Sequence, residues 1–122
     1  MPDTPDLLSF IRDTYRSVWS MELMLLLKSE PRRAWRRDEL VDRLRASEAV
    51  VVQGVESLVI GGLVVVEDNG DYRFAPASDD LERLSDAAED LYAKKPDAVR
   101  RLIVSANDQL SAFADAFRLR RD

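Results

Sequence analysis

The feature that most constrains the fold is a change in the spacing of apolar residues at Gly61-Gly62. Before this pair, apolar residues recur at steps of three and four, which is the spacing of helices with one buried face. After it, residues 63–67 are rich in β-branched side chains, and Asn69-Gly70 is a strong signal for a two-residue turn before a return strand at residues 72–74. The sequence therefore predicts several helices followed by a β-hairpin.

Helix caps and breakers divide the first part of the chain. Thr4-Pro5-Asp6 is typical of a helix start, and apolar positions then continue at helical steps until Pro31. This stretch is either one long helix or two helices with a bend near residues 17–20. We favour two helices, the second covering residues 18–28.

Two more helices are predicted before the hairpin. The first covers residues 35–45 and places Glu39 and Arg43 at ion-pair spacing on its outer face. The second begins after Ser47, a good N-cap, and runs to about residue 60. The apolar positions predicted to face inward on this helix are Val51, Val55, Leu58 and Val59.

Two helices are also predicted after the hairpin. Ser78 caps the first, which carries the apolar stripe Leu81, Leu84, Ala88 and Leu91 and ends before Lys94-Lys95. Pro96 opens the second, which runs to about residue 119 and has apolar residues at heptad spacing. These seam residues are Val99, Ile103, Ala106, Leu110, Phe113 and Phe117.

The heptad seam predicts a homodimer, because a two-fold pair is the commonest assembly and the seam suits packing against another helix. The candidate mate is the N-terminal apolar stripe, which consists of Leu7, Leu8, Ile11 and Tyr15. The alternative is that the last helix covers the core of its own chain.

The order helix, helix, turn, helix and hairpin over residues 18–76 resembles the winged helix-turn-helix domain of MarR-like and PadR-like transcription regulators. The residues at matching positions are Glu22, Leu23, Leu26, Leu27, Trp35, Glu39, Leu40, Leu44, Ser47, Val51, Val55, Leu58, Gly62, Leu63, Val64 and Tyr72. The expected fold is mainly α with a small β-hairpin. It comprises an N-terminal helix (1–17), a winged helix-turn-helix core (18–76) and C-terminal helices for dimerisation (77–122).

The resemblance implies that the helix over residues 47–60 enters the DNA major groove and that the hairpin touches the minor groove or backbone. The charge of this surface argues against DNA, because residues 46–76 contain five acidic residues and one basic residue, Arg73. Gln53 could read adenine and Ser57 a base or phosphate, but two polar side chains do not offset five carboxylates.

An apolar surface rimmed by polar groups more often marks a protein contact. We therefore predict that this helix and the hairpin bind another protein of the transcription machinery, or a regulator. The predicted contact residues are Glu48, Val50, Val52, Gln53, Glu56, Ser57, Asp68, Asn69 and Asp71.

Arginines before and at the start of the helix over residues 35–45 favour a second interpretation, since cations there oppose the helix dipole. They are Arg32, Arg33, Arg36 and Arg37. The resemblance places this end beside the DNA backbone, where they and Arg73 would contact phosphates of duplex DNA and the chain would be a dimeric repressor. They would equally pair with Glu30, Asp38 and Glu39 in a solvated loop, or bind an acidic protein patch.

Composition narrows the remaining function classes. The 122 residues suit one domain, and the absence of Cys and His excludes thiol and imidazole catalysis and Cys/His zinc sites. The acidic clusters at residues 79–82 and 86–90 fit the solvated face of a helix, so we expect no enzyme, no cofactor and no metal site. The net charge is −5, and we expect a cytoplasmic protein with no signal peptide and no membrane span.

A pocket for an effector ligand would suit either the protein-binding or the DNA-binding function. Its candidate place is near Trp19, Trp35 or Phe113, although such aromatic residues more often belong to a core.

Overall fold

The computed structural model describes residues 4–106. Its elements, in chain order, are α1 (Thr4–Thr14), α2 (Val18–Ser29), α3 (Arg37–Leu44), α4 (Glu48–Ile60), β1 (Val64–Val66), β2 (Tyr72–Phe74) and α5 (Asp79–Lys94). A sixth helix, α6, begins at residue 96 and is described to residue 106. The prediction of a mainly helical fold with one small antiparallel hairpin is confirmed. Within the described range, none of these helices is both long enough and apolar enough to cross a membrane.

Residues 4–29 form two helices because Ser17 starts a new one. The Ser17 hydroxyl accepts the N–H of Ser20 at 3.2 Å, and the Ser20 hydroxyl accepts the N–H of Ser17 at 3.3 Å. This reciprocal capping satisfies backbone donors that the start of a helix would otherwise leave without partners. The predicted bend and the start of the second helix at Val18 are therefore confirmed.

The prediction that a helix begins at Trp35 is wrong. Trp35 is extended and pairs with Tyr72 of β2, through N–H to carbonyl bonds of 2.7 and 2.8 Å in the two directions. The side chain of Trp35 is completely buried, and α3 begins two residues later. The two backbone hydrogen bonds attach the hairpin to the segment that leads into α3.

The predicted ion pair between Glu39 and Arg43 is also wrong. Glu39 turns back to Arg33, whose guanidinium lies 2.7 Å from its carboxylate. Arg43 instead lies over the ring of Trp35, 5.4 Å from the ring centroid. Both differences follow from the buried ring of Trp35. Arg33 and Arg43 both lie over this ring, which gives them an aromatic surface to cover.

The hairpin pairs Val64 with Phe74 and Val66 with Tyr72 in antiparallel register. Its loop is longer than the predicted two-residue turn at Asn69-Gly70. The N–H of Gly70 donates to the carbonyl of Glu67 at 2.9 Å, and Gly70 has a φ of 91°. A turn followed by a residue in the left-handed region is the three-residue hairpin loop, which favours glycine at its last position.

The core lies where α2 packs against α4. The fully buried apolar residues of α2 are Met21, Leu23, Met24 and Leu27. Of the positions predicted to face inward on α4, Val51, Val55 and Leu58 are buried, but Val59 is 36% exposed and that prediction is wrong. Gly54 sets the approach of the two helices, because a Cβ there would lie 2.5 Å from Cδ1 of Leu23 and 3.5 Å from Cα of Ser20.

Polar contacts attach α5 to α2. Lys28 lies between Asp86 and Glu89, with its Nζ 2.6 and 2.7 Å from their carboxylates. Tyr92 donates its hydroxyl to Glu22 at 2.6 Å. The predicted α5 stripe also packs on the core, with Ala88 fully buried.

Gly54→Val is expected to lower the free energy of unfolding by about 2 kcal/mol, because its methyl groups must displace buried Leu23. The higher helix propensity of valine offsets only about 0.5 kcal/mol of this loss. Denaturant unfolding of the full chain measures the change. The matched control is Gln53→Val on the exposed side of α4, with an expected change within about 0.5 kcal/mol. Equal stability of the two variants would contradict the close packing at Gly54.

Candidate functional site

The outer side of α4 is mostly apolar. The buried residues of α4 lie on one side of the helix. The residues on the opposite side form one continuous stripe. We call this stripe the α4 face, and it consists of Ala49, Val52, Gln53, Glu56, Val59 and Ile60. Ile60 is 75% exposed, and Glu56 is the one charged member. This face therefore offers apolar side chains and a carboxylate to whatever approaches it.

Three of the contact residues predicted on α4 are not freely available to a partner, because they are buried, half-buried or ion-paired within the chain. Ser57 is buried, and its hydroxyl donates to the backbone carbonyl of Thr14 at 2.8 Å, so its prediction as a contact residue is wrong. Val50 is half-buried at the edge of the helix. Glu48 is exposed but forms an ion pair with Arg37 at 2.8 Å.

Sequence reasoning missed Val59 and Ile60 as surface residues. Val59 follows Val55 by four positions, which is why the apolar spacing placed it in the core. The helix ends at Ile60, however, and the chain turns away at Gly61-Gly62. Val59 therefore lies at the end of the helix without being buried. Ile60 follows Glu56 by four positions, so its exposure matches its place on the outer side of the helix.

The hairpin loop is acidic and is organised by its own side chains. Asn69 accepts the N–H of Asp71 at 3.0 Å and donates to the Asp71 carboxylate at 3.2 Å. The basic residue of the hairpin, Arg73, is paired with Glu67 at 2.5 Å. The loop therefore presents Asp68 and Asn69 to solvent, while the cation of the hairpin itself is already bound to a carboxylate.

A groove of about 480 Å³ joins the start of α3, the start of α4 and the hairpin loop. It is lined by Arg37, Asp38, Val41, Asp42, Glu48, Asn69, Gly70 and Asp71. Four of the predicted site residues therefore come together here, namely Arg37, Glu48, Asn69 and Asp71. Asp38, Val41 and Asp42 were missed, although their spacing of three and four places them on one side of α3.

The guanidinium of Arg33 is engaged by other side chains of the same chain. Its guanidinium lies 3.6 Å from the ring centroid of Trp35 and bonds to the carboxylates of Glu30 at 3.0 Å and Glu39 at 2.7 Å. Partial burial disfavours the charged guanidinium, but the hydrogen bonds to Glu39 and Glu30 outweigh this effect and raise its pKa. An arginine with two carboxylates and an aromatic ring has little left to offer a phosphate.

The other three arginines of the cluster differ in the ion pairs that they form with carboxylates of the chain. Arg37 pairs with Glu48, and hydrogen bonds to Glu48 and then to Tyr72 raise its pKa. Arg36 has only long contacts, 3.6 Å each to Asp38 and Glu39. Arg32 is exposed and has no ion pair among residues 4–106. The interpretation in which the arginines pair with Glu30, Asp38 and Glu39 thus matches the contacts of Arg33 and Arg36, but not those of Arg37 or Arg32.

The structure describes three of the six residues of the predicted dimer seam, and two of them are buried within their own chain. Val99 and Ile103 are buried in the core cluster of their own chain, and Ala106 is half-buried. The first two side chains therefore serve the alternative role, an intrachain cover. The remaining seam residues, Leu110, Phe113 and Phe117, lie outside the described residues.

The aromatic residues do not mark a shared pocket in the described part of the chain. Trp35 is completely buried, whereas Trp19 is 40% exposed on α2. Phe113 lies outside the described residues. The groove between α3, α4 and the hairpin loop is lined by other residues.

Comparisons of this chain with models of protein families, with curated proteins and with solved structures found no match.

The ionised Glu39 is expected to stabilise the fold in a pH-dependent way. The backbone N–H of Arg36, and then the guanidinium of Arg33, lower the pKa of Glu39 below its usual value of 4.5. A carboxyl group with a lowered folded-state pKa stabilises the fold above its unfolded pKa, and this contribution is lost as the pH falls through the folded value.

Glu39→Gln should therefore be less stable than the parent chain at pH 6, and the difference should shrink as the pH falls below 4.5. Urea unfolding at a series of pH values measures it. The control is Asp42→Asn, an exposed carboxylate of the same helix that has no ion pair among the described residues. A Glu39→Gln difference that does not change with pH would contradict the assignment.

Proposed function

We propose that this chain is a non-enzymatic transcription regulator of the winged-helix type that acts by binding another protein. The order of α2, α3, α4 and hairpin resembles that domain, and the Trp35–Tyr72 pairing supports the resemblance by joining hairpin and helices into one unit. The partner is a protein of the transcription machinery or a regulator. The binding surface comprises the α4 face and the hairpin loop.

The observation that carries this proposal is the chemistry of the α4 face. A helix that reads the major groove needs donors for base edges and cations for phosphates. The α4 face instead has exposed Val59 and Ile60, the carboxylate of Glu56 and the amide of Gln53. Exposed apolar side chains of this kind favour a protein partner, whose own apolar surface they would remove from water.

The paired arginines support the same choice. Phosphate binding by Arg33 or Arg37 would first require separation from Glu30, Glu39 or Glu48. The released carboxylates would then lie beside the DNA backbone and repel it. The arginine cluster therefore contributes less positive charge at this surface than its sequence indicates.

One observation favours a second candidate function, that of a dimeric DNA-binding repressor. Arg32 is exposed without an ion pair in the described part of the chain, and Arg36 is exposed with only long contacts. Exposed ion pairs are weak, so these two cations remain able to turn towards phosphates. Two copies of the chain would double their number.

The protein-binding proposal is tested with Val52→Asp and Glu56→Arg, which place charge or reverse it on the α4 face. The partner is captured by crosslinking in the cells that produce the chain, identified, purified and titrated with the full chain. Both variants should weaken its binding about tenfold or more, as expected for changes at the centre of a protein interface. The control is Glu82→Arg, an equivalent change at an exposed residue of α5, which should leave the affinity unchanged.

The DNA alternative is tested by selecting duplex fragments with the full chain and titrating them between about 50 and 200 mM salt. We expect no sequence-selective binding. Selective binding that falls steeply with salt and is lost in Arg32→Ala and Arg36→Ala would reverse the choice between the two functions.

A further inference from the structure

A second groove lies between α1 and α5, on the side of the molecule formed by the flanking helices. Its volume is about 550 Å³. Its apolar floor consists of Leu7, Ala87 and Leu91, each half-buried. Charged side chains of both signs line its rim: Arg83, Asp86, Asp90 and Lys94. A groove with an apolar floor and a rim of mixed charge suits a partner of matching pattern.

The charges along this side of α5 follow a particular order. Steps of three and four place five residues on one stripe of the helix: Asp80, Arg83, Ala87, Asp90 and Lys94. Their charges read negative, positive, neutral, negative, positive. When this order is reversed about Ala87, every charge meets its opposite. Such a pattern complements an antiparallel copy of itself.

We propose that this groove is where a second copy of the chain docks, with the two α5 helices antiparallel and crossing at Ala87. A two-fold axis through Ala87 places Arg83 opposite Asp90 of the other copy, and Lys94 opposite Asp80. Each pair occurs twice because the interface is isologous. The proposal concerns α5 and stands whichever partner the α4 face binds.

The contacts of the single chain are compatible with this exchange. Arg83 now pairs with Asp80 at 2.6 Å, and Lys94 with Asp90 at 2.9 Å. All four side chains are more than half exposed, and exposed pairs within one helix contribute little stability. Ala87 has the smallest side chain of the stripe, so it permits close approach of the helices at the axis. The apolar surface of Leu7 and Leu91 would then leave water.

The first test uses charge reversal and sedimentation equilibrium of the full chain at low salt. Arg83→Glu and Asp90→Arg should each weaken the dimer about tenfold or more, because each creates two like-charge contacts. An equimolar mixture of the two variants should restore association as a heterodimer, since the carboxylate introduced at position 83 of one copy then faces the guanidinium introduced at position 90 of the other. Glu82→Arg, on a different side of α5, should leave the dimer unchanged.

The second test uses the absence of cysteine from the chain. Ala87→Cys should form a disulfide-linked dimer under mild oxidation, whereas Ala93→Cys, an exposed residue away from the stripe, should not. A monomeric parent chain at high concentration would overturn the proposal. So would a dimer that ignores both charge reversals, or a mixture that does not form the heterodimer.

Discussion

The burial of Trp35 is the constraint on which the arrangement of the candidate site depends. Its backbone joins the hairpin through Tyr72, and its ring gives Arg33 and Arg43 an apolar surface to cover. Arg33 in turn holds Glu39 near the start of α3. The backbone of Trp35 thereby fixes the hairpin next to the start of α3, and its ring determines where the guanidinium groups of Arg33 and Arg43 lie.

The same contacts explain why charge counted along the sequence gives a misleading picture of the surface. Four arginines in six positions look like a cationic patch. In the fold, carboxylates from the preceding turn, from α3 and from α4 lie beside three of them, Arg33, Arg36 and Arg37. Because opposite charges a few ångströms apart largely cancel at longer range, a polyanion approaching this side meets a nearly neutral surface.

The sequence predicted the elements well where local signals were complete. Ser47 and Ser78 cap the helices that they were expected to start, because a capping hydroxyl acts within one turn of the helix, and the favoured bend near residues 17–20 is where Ser17 caps α2. The failures at Trp35 and Ser57 have a different cause. Trp35 is extended because of Tyr72, and Ser57 is buried because of Thr14, both far away in the sequence. Spacing within one segment contains no information about such partners.

The stability of α4 comes from one side of the helix. Val51, Gly54, Val55 and Leu58 make its contacts with the core, whereas Gln53, Glu56 and Ile60 point away from it. Substitutions on the outer side are therefore nearly free of folding constraints. A lineage could exchange one binding partner for another by altering a few outward-pointing side chains, while the scaffold that presents them stays the same.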